Sequence, residues 1–373
     1  MGERSYPIVF DAISSLGAHL KQHKLTGGRA ILVSNSVVGK LPHKQAALEA
    51  LEHCGFTSVA YVEIPDGEVK KTAETYLDLV NALLAAKADR KTIIIGLGGG
   101  VTTDIVGFAA ATTLRGLRFV NVPTTLLAMV DASVGGKTGV NTSKGKNLLG
   151  AFWQPSLVLA PIDALSTLTD DEFRCGMGEV VKHAVLESKG FFAWLEANAA
   201  ALSNRHCAEH ADAISYAVKR CCEIKGEIVA RDEREDGDRA LLNLGHTVGH
   251  AIEHVLQYAI PHGVAVAIGT VAEAVLAEQR GEASKGLARR IAFLLRALGL
   301  PFSLEQAKVD VAKLLDAVTA DKKMEGALIT ITVPRAIGDV RLVKVKPSEL
   351  KDAFASLSGN ASILDQGAPQ ARL

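Results

Sequence analysis

Short apolar runs rich in β-branched residues alternate with helical stretches up to about residue 150 of the chain. The strand-like runs cover 29–33, 59–64 and 92–95, and helical stretches such as 43–54 and 72–86 lie between them. Strands that alternate with helices are typical of a parallel sheet with crossover connections. The pattern therefore predicts an α/β domain in this part of the chain.

The pattern changes beyond Asp163, where long helical stretches replace this alternation. Thr169 and Glu172 have the spacing of a capping box, in which an N-cap threonine precedes a glutamate by one turn. One late strand-like piece, at 328–333, precedes another charged helix. Between the capping box and this strand-like piece, the chain contains long segments rich in Ala, Leu, Glu and Lys. These predict helices over 192–202, 211–229 and 286–298.

The length of the chain also indicates more than one domain. A chain of 373 residues exceeds the size at which one hydrophobic core usually suffices. We predict an α/β domain over 1–162 and a mainly α-helical domain over 163–355. The polar segment 356–373 is predicted to be a flexible tail.

Composition narrows the class of protein. Lys plus Arg equals Asp plus Glu at 41 each, so no net charge attracts nucleic acid or an acidic membrane. No apolar run reaches the ~18 residues that cross a bilayer, and the first ten residues lack the apolar core of a signal peptide. The 5 cysteines form no CxxC pair, which favours reduced thiols and a cytoplasmic location.

A glycine-rich segment follows the third strand-like run. The sequence GLGGGV at 96–101 lies between that strand and a helical stretch that begins near Asp104. Glycines let the backbone approach a diphosphate, and the start of a helix offers free N–H groups. Val101 stands where the dinucleotide-binding fingerprint has its last glycine, so the segment alone is also compatible with a tight strand–helix turn.

Histidines cluster in the second half of the chain. His246, His250 and His254 recur every four residues and would share one face of a helix. His262 follows in a Pro-His-Gly turn, and Glu179 is a possible carboxylate ligand. Two imidazoles and a third ligand from elsewhere are the usual components of a catalytic zinc site. Periodicity alone nominates His246 and His250 as the ligand pair.

A set of cationic side chains lies in segments that contain glycine or histidine. The segments 134–141 and 144–147 are predicted loops that present amines beside backbone donors. Such groups suit a substrate that bears phosphate and carboxylate, although each one alone could be an ordinary surface charge. The set comprises Arg115, Lys137, Lys146, Lys182, Lys225, Arg239 and Lys323.

Several of these motifs together resemble the 3-dehydroquinate synthase family, within the sugar phosphate cyclases. The resemblance is collinear from about Glu3 to Asp339, with local departures at Thr102, Thr103, Met129 and Thr169. The motifs that carry it are PDGE at 65–68, GGGVTTD at 98–104, PTTLLA at 123–128, VDASVGGKT at 130–138, GKN at 145–147, DE at 232–233 and NLGHTVGHAIE at 243–253.

The resemblance implies a Rossmann-like N-terminal domain that binds NAD, a helical C-terminal domain and a homodimer. It implies Glu179, His246 and His262 as ligands of zinc or cobalt. It also implies that His250 contacts the substrate and is not a metal ligand. The implied NAD contacts are Asn35, Glu68, Lys71, Gly99, Gly100, Val101, Asp104, Thr124, Thr125, Asp131, Lys137, Lys146 and Thr167. The implied substrate and catalytic residues are Arg115, Asp131, Lys137, Lys146, Asn147, Lys182, Lys225, Arg239, Asn243, His250 and Lys323, the last chosen over Lys322.

The activity that the resemblance implies is the conversion of 3-deoxy-D-arabino-heptulosonate 7-phosphate into 3-dehydroquinate and phosphate. The steps would be transient oxidation by NAD, elimination of phosphate, return of hydride and intramolecular aldol closure. Two enzyme alternatives stay open: a cyclase that forms a valiolone- or inosose-type ring, and a metal-dependent polyol dehydrogenase that would release NADH. A non-enzymatic nucleotide-binding regulator would be expected to lack metal or cationic positions, and none is missing here.

Overall fold

The computed structural model describes residues 2–187, 189–203, 210–320, 324–325 and 328–359 of the chain. It divides into two compact units, Met1–Leu168 and Thr169–Leu373. The division falls directly before the residue that begins the predicted capping box. Among the described residues, no helix combines the length and the apolar composition that crossing a bilayer requires.

The first unit is an α/β domain, as predicted. Its strands are β1 (Ile8–Val9), β2 (Arg29–Asn35), β3 (Ser58–Ile64), β4 (Ile93–Gly98), β5 (Arg118–Pro123), β6 (Lys137–Thr142), β7 (Gly145–Phe152) and β8 (Leu157–Leu159). Its α-helices are α1 (Leu16–Gln22), α2 (Pro42–Glu52), α3 (Ala73–Ala85) and α4 (Gly100–Thr112). Six strands form a parallel sheet in the order β1-β8-β5-β4-β2-β3.

Both faces of this sheet are buried, which explains why its central strands are continuous apolar runs. Successive residues of β2 point to opposite faces: Leu32 packs with α1 and α2, whereas Ile31 and Val33 pack with α3 and α4. The strand β4 alternates in the same way. Helices on both faces are what short right-handed crossovers between parallel strands produce.

The prediction of loops at 134–141 and 144–147 was wrong in large part, because β6 and β7 form an antiparallel hairpin. Glycine, lysine and asparagine made these segments resemble loops. The hairpin is fixed instead by cross-strand contacts, such as the hydrogen bond from Thr138 Oγ1 to the carbonyl of Ala151 at 2.8 Å. It is also anchored by Val140, which is fully buried against α4.

The second unit is mainly helical, as predicted. Its helices are α5 (Asp170–Glu187), α6 (Lys189–Leu202), α7 (Ala211–Arg231), α8 (His246–Val255), α9 (His262–Gln279), α10 (Leu287–Ala297), α11 (Val311–Ala320) and α12 (Pro347–Gly359). The capping box is confirmed: the Thr169 amide donates to Glu172 Oε2 at 3.0 Å, and the Glu172 amide donates to Thr169 Oγ1 at 3.2 Å. The last helix continues to Gly359, past the predicted start of the tail at 356.

Sequence analysis missed part of a small antiparallel sheet in this unit. The strands β9 (Met324–Glu325), β10 (Leu328–Ala336) and β11 (Asp339–Val345) form it in the order β11-β10-β9. Only the core of β10 was predicted. The strand β11 has apolar residues without strict alternation: Val340 and Val345 are buried, but Leu342 between them is exposed and lies beside Val343, so the period of two that indicates a strand is broken.

Candidate functional site

Glycines let three helices of the second unit approach one another closely. A Cβ atom on Gly178 of α5 would clash with the carbonyl of Gly263 in α9, and a Cβ on Gly263 would clash with the carbonyl of Cys175. Because the two backbones touch at this point, the neighbouring residues Glu179 and His262 are brought face to face. The contact between helices therefore determines the geometry of the site.

A second glycine contact sets the start of α8. Gly245 has a left-handed φ of 76°, and its amide donates to the buried carboxylate of Glu273 in α9. A Cβ on Gly269 would clash with the Gly245 carbonyl, so the turn before α8 also lies directly on α9. The helix then begins at His246, which places that side chain next to His262.

The cluster formed by these contacts has the spacing of a metal-binding site. Glu179 Oε1 lies 3.6 Å from His246 Nε2 and 3.5 Å from His262 Nε2. Ligands bound at ~2.1 Å around a tetrahedral ion are separated from one another by about 3.4 Å. Glu179 Oε1 is buried and accepts no hydrogen bond among the described residues, as expected of an oxygen meant for a cation. The donor set therefore fits a divalent metal such as zinc.

Hydrogen bonds orient both imidazoles of this set. His246 Nδ1 lies 3.0 Å from the Leu244 carbonyl, and His262 Nδ1 lies 3.3 Å from Glu253 Oε2. If each Nδ1 carries the proton, each Nε2 directs its lone pair towards Glu179. An outer hydrogen bond of this kind is the usual companion of a histidine that binds a metal.

The electrostatics of the cluster are dominated by buried charge. Burial acts to raise the pKa of Glu179, but Lys182, His246 and His262 outweigh it and hold that pKa well below 4.5. Burial lowers the pKa of His246 well below 6.5. Burial also opposes protonation of His262, yet Glu179 and Glu253 prevail and raise its pKa to about 10. Without metal, a proton on His262 thus balances the carboxylates at neutral pH, and a divalent cation can take its place.

The structure brings together both ligand sets that the sequence suggested. The ligand nitrogens of His246, His250 and His262 all lie within 4.8 Å of one another, so the pair nominated by periodicity belongs to the same cluster. His250 is exposed, whereas Glu179 is fully buried beneath the two other histidines. His254, the third histidine of the series, is exposed. The buried residue next to it, Glu253, contacts His262 and was missed as a site residue.

The other predicted residues of the helical unit are cationic or polar groups with low exposure. Lys182 Nζ lies 2.6 Å from Glu179 Oε2, and Lys225 and Arg239 are 6% and 1% exposed. Asn243 donates to Glu235 Oε1 at 3.0 Å. Charges of low exposure interact more strongly with an anionic ligand than charges in water do. Lys323, the remaining predicted cation of this unit, lies outside the described residues.

One loop in this unit depends on a carboxylate that sequence analysis quoted only within a motif. Asp232, the residue directly after α7, accepts hydrogen bonds from the amides of Asp236, Gly237 and Arg239 at 2.7–3.0 Å. These bonds fold the loop so that Arg239 turns inward and donates to the carbonyl of Glu233. The Asp-Glu dipeptide is therefore a positioning element for Arg239.

In the α/β unit, several of the predicted cofactor residues lie at the carboxyl ends of the parallel strands. The chain leaves β2 towards α2 on one face, and it leaves β4 towards α4 on the other. The sheet thus has a topological switch point between these neighbours, which is where open α/β sheets bind ligands. Asn35 ends β2, and α4 begins at Gly100 directly after β4. Thr124 follows β5, and its amide donates to the Gly98 carbonyl at 3.0 Å.

The glycine-rich segment is closely packed, as a diphosphate-binding turn would require. A Cβ on Gly98 would clash with Thr102, and one on Gly99 would lie 3.1 Å from Thr125 Cγ2. Thr102, a departure from the family pattern, is buried and its Oγ1 lies 3.4 Å from Asn35 Nδ2. The glycines leave the N-terminal amides of α4 accessible to a ligand. Val101, the next predicted contact, lies in the first turn of this helix.

A hydrogen-bonded network connects predicted cofactor residues with predicted substrate residues in the same unit. Lys71 Nζ contacts Asp104 Oδ2 at 2.5 Å and Asn147 Oδ1 at 2.6 Å. Asn141 donates to Glu68 Oε1 at 2.7 Å and accepts from the Asn147 amide at 3.0 Å. Sequence analysis did not select Asn141, which holds the hairpin to the segment after β3.

Four further predicted residues lie at other positions of the α/β unit. Asp131 lies in the π-helical segment Ala128–Ala132, Lys137 begins β6, and Thr167 Oγ1 lies 3.0 Å from His43 Nε2. Arg115 lies in an exposed turn at the far end of α4. At 1.5 Å per residue, the 13 residues of α4 separate it from the glycine turn by about 18 Å.

Comparisons with known proteins agree with this geometry. Two family models match, described as 3-dehydroquinate synthase N-terminal (residues 61–175) and C-terminal (residues 176–324). The chain is 43% identical over 356 residues to the 3-dehydroquinate synthase of Pseudoalteromonas atlantica, covering 95% of this chain and 96% of the relative. The corresponding values for the Pelotomaculum thermopropionicum enzyme are 44% over 372 residues, with 99% and 97% covered.

Solved structures of sugar phosphate cyclases share the fold. The 2-epi-5-epi-valiolone synthase of Streptomyces hygroscopicus, solved with NAD⁺ and Zn²⁺, has a TM-score of 0.85 at 28% identity, covering 96% of this chain and 98% of its own. A 2-deoxy-scyllo-inosose synthase complexed with carbaglucose-6-phosphate, NAD⁺ and Co²⁺ has a TM-score of 0.81 at 24% identity, covering 94% and 97%. At 24% identity, the similarity to the inosose synthase shows a shared fold and nothing more.

The histidine cluster generates a prediction about metal binding. His262→Ala should lose the metal and the activity while the protein stays folded, because it removes one of the three predicted ligands. His250→Ala should retain the metal and lose rate. His254→Ala is the matched control, since it removes an exposed imidazole from the same helix and should change neither. Metal content after dialysis, with circular dichroism as the folding check, would decide. Full occupancy in the His262 variant, or an empty site in the His250 variant, would contradict the assignment.

Proposed function

The chain belongs to the 3-dehydroquinate synthase family, and from this premise we propose that it converts 3-deoxy-D-arabino-heptulosonate 7-phosphate into 3-dehydroquinate and phosphate. It is accordingly an enzyme of the shikimate pathway, a lyase that works with NAD and zinc or cobalt. The observation that carries the proposal is the cluster of Glu179, His246 and His262, in a chain that matches this family over nearly its whole length.

The helical unit supplies the metal ligands and most of the buried positive charge. When bound, NAD provides reversible hydride transfer and the metal provides Lewis-acid polarisation of a substrate oxygen. Glu179, His246 and His262 hold that metal, and Lys182 keeps Glu179 ionised through its 2.6 Å ion pair. Lys225 and Arg239 are assigned to the substrate carboxylate and hydroxyls because their charges are buried. His250 contacts the substrate from the exposed side of the cluster.

The α/β unit supplies the dinucleotide site and further phosphate ligands. The amides at the start of α4 and the side chains of Asn35, Glu68 and Asp104 are assigned to NAD. Lys146 and Asn147 are assigned to the substrate phosphate. In the elimination step the bond between carbon and phosphate oxygen breaks, and the electron pair leaves with the phosphate. Lys146 and Asn147 stabilise the negative charge that develops there, and the leaving phosphate can take up the proton lost from carbon.

This function predicts that NAD acts catalytically. With one equivalent of NAD per active site, the enzyme should release many equivalents of phosphate from the heptulosonate phosphate without accumulating NADH. The reason is that the hydride removed from the substrate returns to it within each turnover. Phosphate assay and absorbance of NADH in the same reaction measure both quantities, and a reaction treated with chelator is the control. Stoichiometric NADH would instead support the polyol dehydrogenase alternative.

The nearest alternative is a cyclase of the valiolone type, which the high structural similarity to such an enzyme favours. The two differ in substrate charge, because the heptulosonate carries a carboxylate that sedoheptulose 7-phosphate lacks. Leaving a buried cation without its anionic partner typically costs ~2–5 kcal/mol. We therefore expect kcat/KM for the heptulosonate phosphate to exceed that for sedoheptulose 7-phosphate by at least about 100-fold. Comparable rates of phosphate release from the two sugars would contradict the proposed substrate and favour the valiolone-type cyclase.

We also propose a homodimer that forms through the exposed edge of β7. Within the described residues β7 pairs only with β6, and Leu148, Leu149 and Phe152 are 42–54% exposed. An exposed apolar edge strand is a template for pairing with a second chain. Antiparallel pairing about a two-fold axis at Gly150 would place Leu148 against the partner's Phe152.

Sedimentation velocity tests this dimer. The molar mass obtained for the wild-type enzyme should be about twice the 39.3 kDa of the chain. The double variant Leu148→Lys, Phe152→Lys should be monomeric, because like charges would meet at the seam. Leu77→Lys is the matched control, since Leu77 of α3 is 54% exposed and should leave the dimer intact. A wild-type monomer, or a dimer that survives the double substitution, would refute the proposed seam.

The cytoplasm is the proposed compartment. Cys54, Cys175, Cys221 and Cys222 are buried free thiols, the state expected in a reducing environment. Fractionation of the native cells would test it.

A further inference from the structure

Glu253 is a buried carboxylate that contacts the predicted metal site without belonging to it. It lies on α8 and is 2% exposed, two turns after His246 on the same helical face. Its Oε2 lies 3.3 Å from Nδ1 of His262, the nitrogen on the opposite side of the ring from Glu179. One helix thus contributes the ligand His246 and a carboxylate that contacts the other histidine ligand.

The two histidines differ in what holds their rings. Nδ1 of His246 lies 3.0 Å from the backbone carbonyl of Leu244, and the His246 side chain is 12% exposed. His262 is the first residue of α9, and its side chain is 28% exposed. The hydrogen-bond partner of its Nδ1 is the side chain of Glu253. A ring at the start of a helix can rotate about its side-chain torsions, so its direction depends on that side-chain partner.

We propose that Glu253 is a positioning residue for the metal centre. By accepting the Nδ1 proton of His262, it fixes the tautomer and turns the Nε2 lone pair towards the position that Glu179 and His246 share. A carboxylate in this place also makes the imidazole a stronger donor to a cation. The inference rests on the proposed function, because it takes His262 to be a metal ligand.

A purely structural role is the competing explanation. A buried carboxylate between α8 and α9 could simply hold the two helices together. In that case its loss would lower the free energy of unfolding but leave the metal affinity of the folded protein unchanged. Metal affinity therefore separates the two explanations, whereas activity alone would not.

The experiment compares Glu253→Gln, Glu253→Asp and Glu253→Ala with wild type. Zn²⁺ affinity is measured by competition with a chromophoric chelator, and the visible absorption of bound Co²⁺ reports the ligand geometry. Glu253→Ala should bind Zn²⁺ about 10- to 100-fold more weakly, with an altered Co²⁺ spectrum. Glu253→Gln, which keeps an acceptor and loses the charge, should fall between it and wild type, as should Glu253→Asp. If the alanine variant does not fold, the two conservative variants carry the test.

Two further variants make the result decisive. Glu278→Gln is the matched control: Glu278 lies on α9, the helix that begins with His262, and its Oε1 accepts the Ala288 amide at 2.8 Å, away from the histidines. It should bind Zn²⁺ like wild type. His262→Ala tests the premise, because a variant that keeps its metal would remove His262 from the ligand set and the proposed site with it. If His262→Ala loses the metal while every Glu253 variant keeps wild-type affinity and spectrum, the positioning role alone is overturned.

Discussion

The helical unit depends on one buried negative charge. Glu179 is fully buried, and an ionised carboxylate in that position is costly unless positive charge surrounds it. Lys182, one turn along the same helix, supplies part of that charge at 2.6 Å, and the two histidines complete the surroundings. A proton on His262 or a divalent cation is needed to balance Glu253 as well. The arrangement is therefore more than an ion pair that stabilises the fold, because a divalent cation can take the place of the proton on His262.

This charge cluster requires backbones to lie closer than ordinary side chains permit. Gly178 and Gly263 bring α5 onto the start of α9, and Gly245 and Gly269 bring the start of α8 onto the middle of α9. Any larger residue at Gly178 or Gly263 would push Glu179 away from His262, and a change of one ångström is enough to disturb metal ligands. The glycines are thus part of the proposed metal centre, although none of them is a proposed ligand.

Much of the fold could be predicted because its signals are local. The strands β2 and β4 are unbroken apolar runs since both faces of the sheet are buried, and the start of α5 carries its own capping box. The histidine spacing likewise indicated the cluster. Glu253 could not be recognised in the same way, because a glutamate in a helix is usually solvated and only the packing of α8 on α9 buries it. The hairpin of β6 and β7 was missed for a related reason: its strands are fixed by each other and by α4 rather than by their own composition.

In the α/β unit, hydrogen bonds rather than close helix contacts fix the positions of the predicted site residues. The proposed cofactor site of this unit lies at the carboxyl ends of the strands, where connections leave the sheet in opposite directions. The residues there come from four separate segments, so their relative positions must be fixed by hydrogen bonds. Asn141, in the hairpin, is bonded to Glu68 in the segment after β3. Lys71, in that same segment, is bonded to Asp104 of α4 and to Asn147 of the hairpin. Groups assigned to the cofactor and groups assigned to the phosphate therefore share one network. A substitution at Asn141 should disturb both sets, even though Asn141 is assigned to neither ligand.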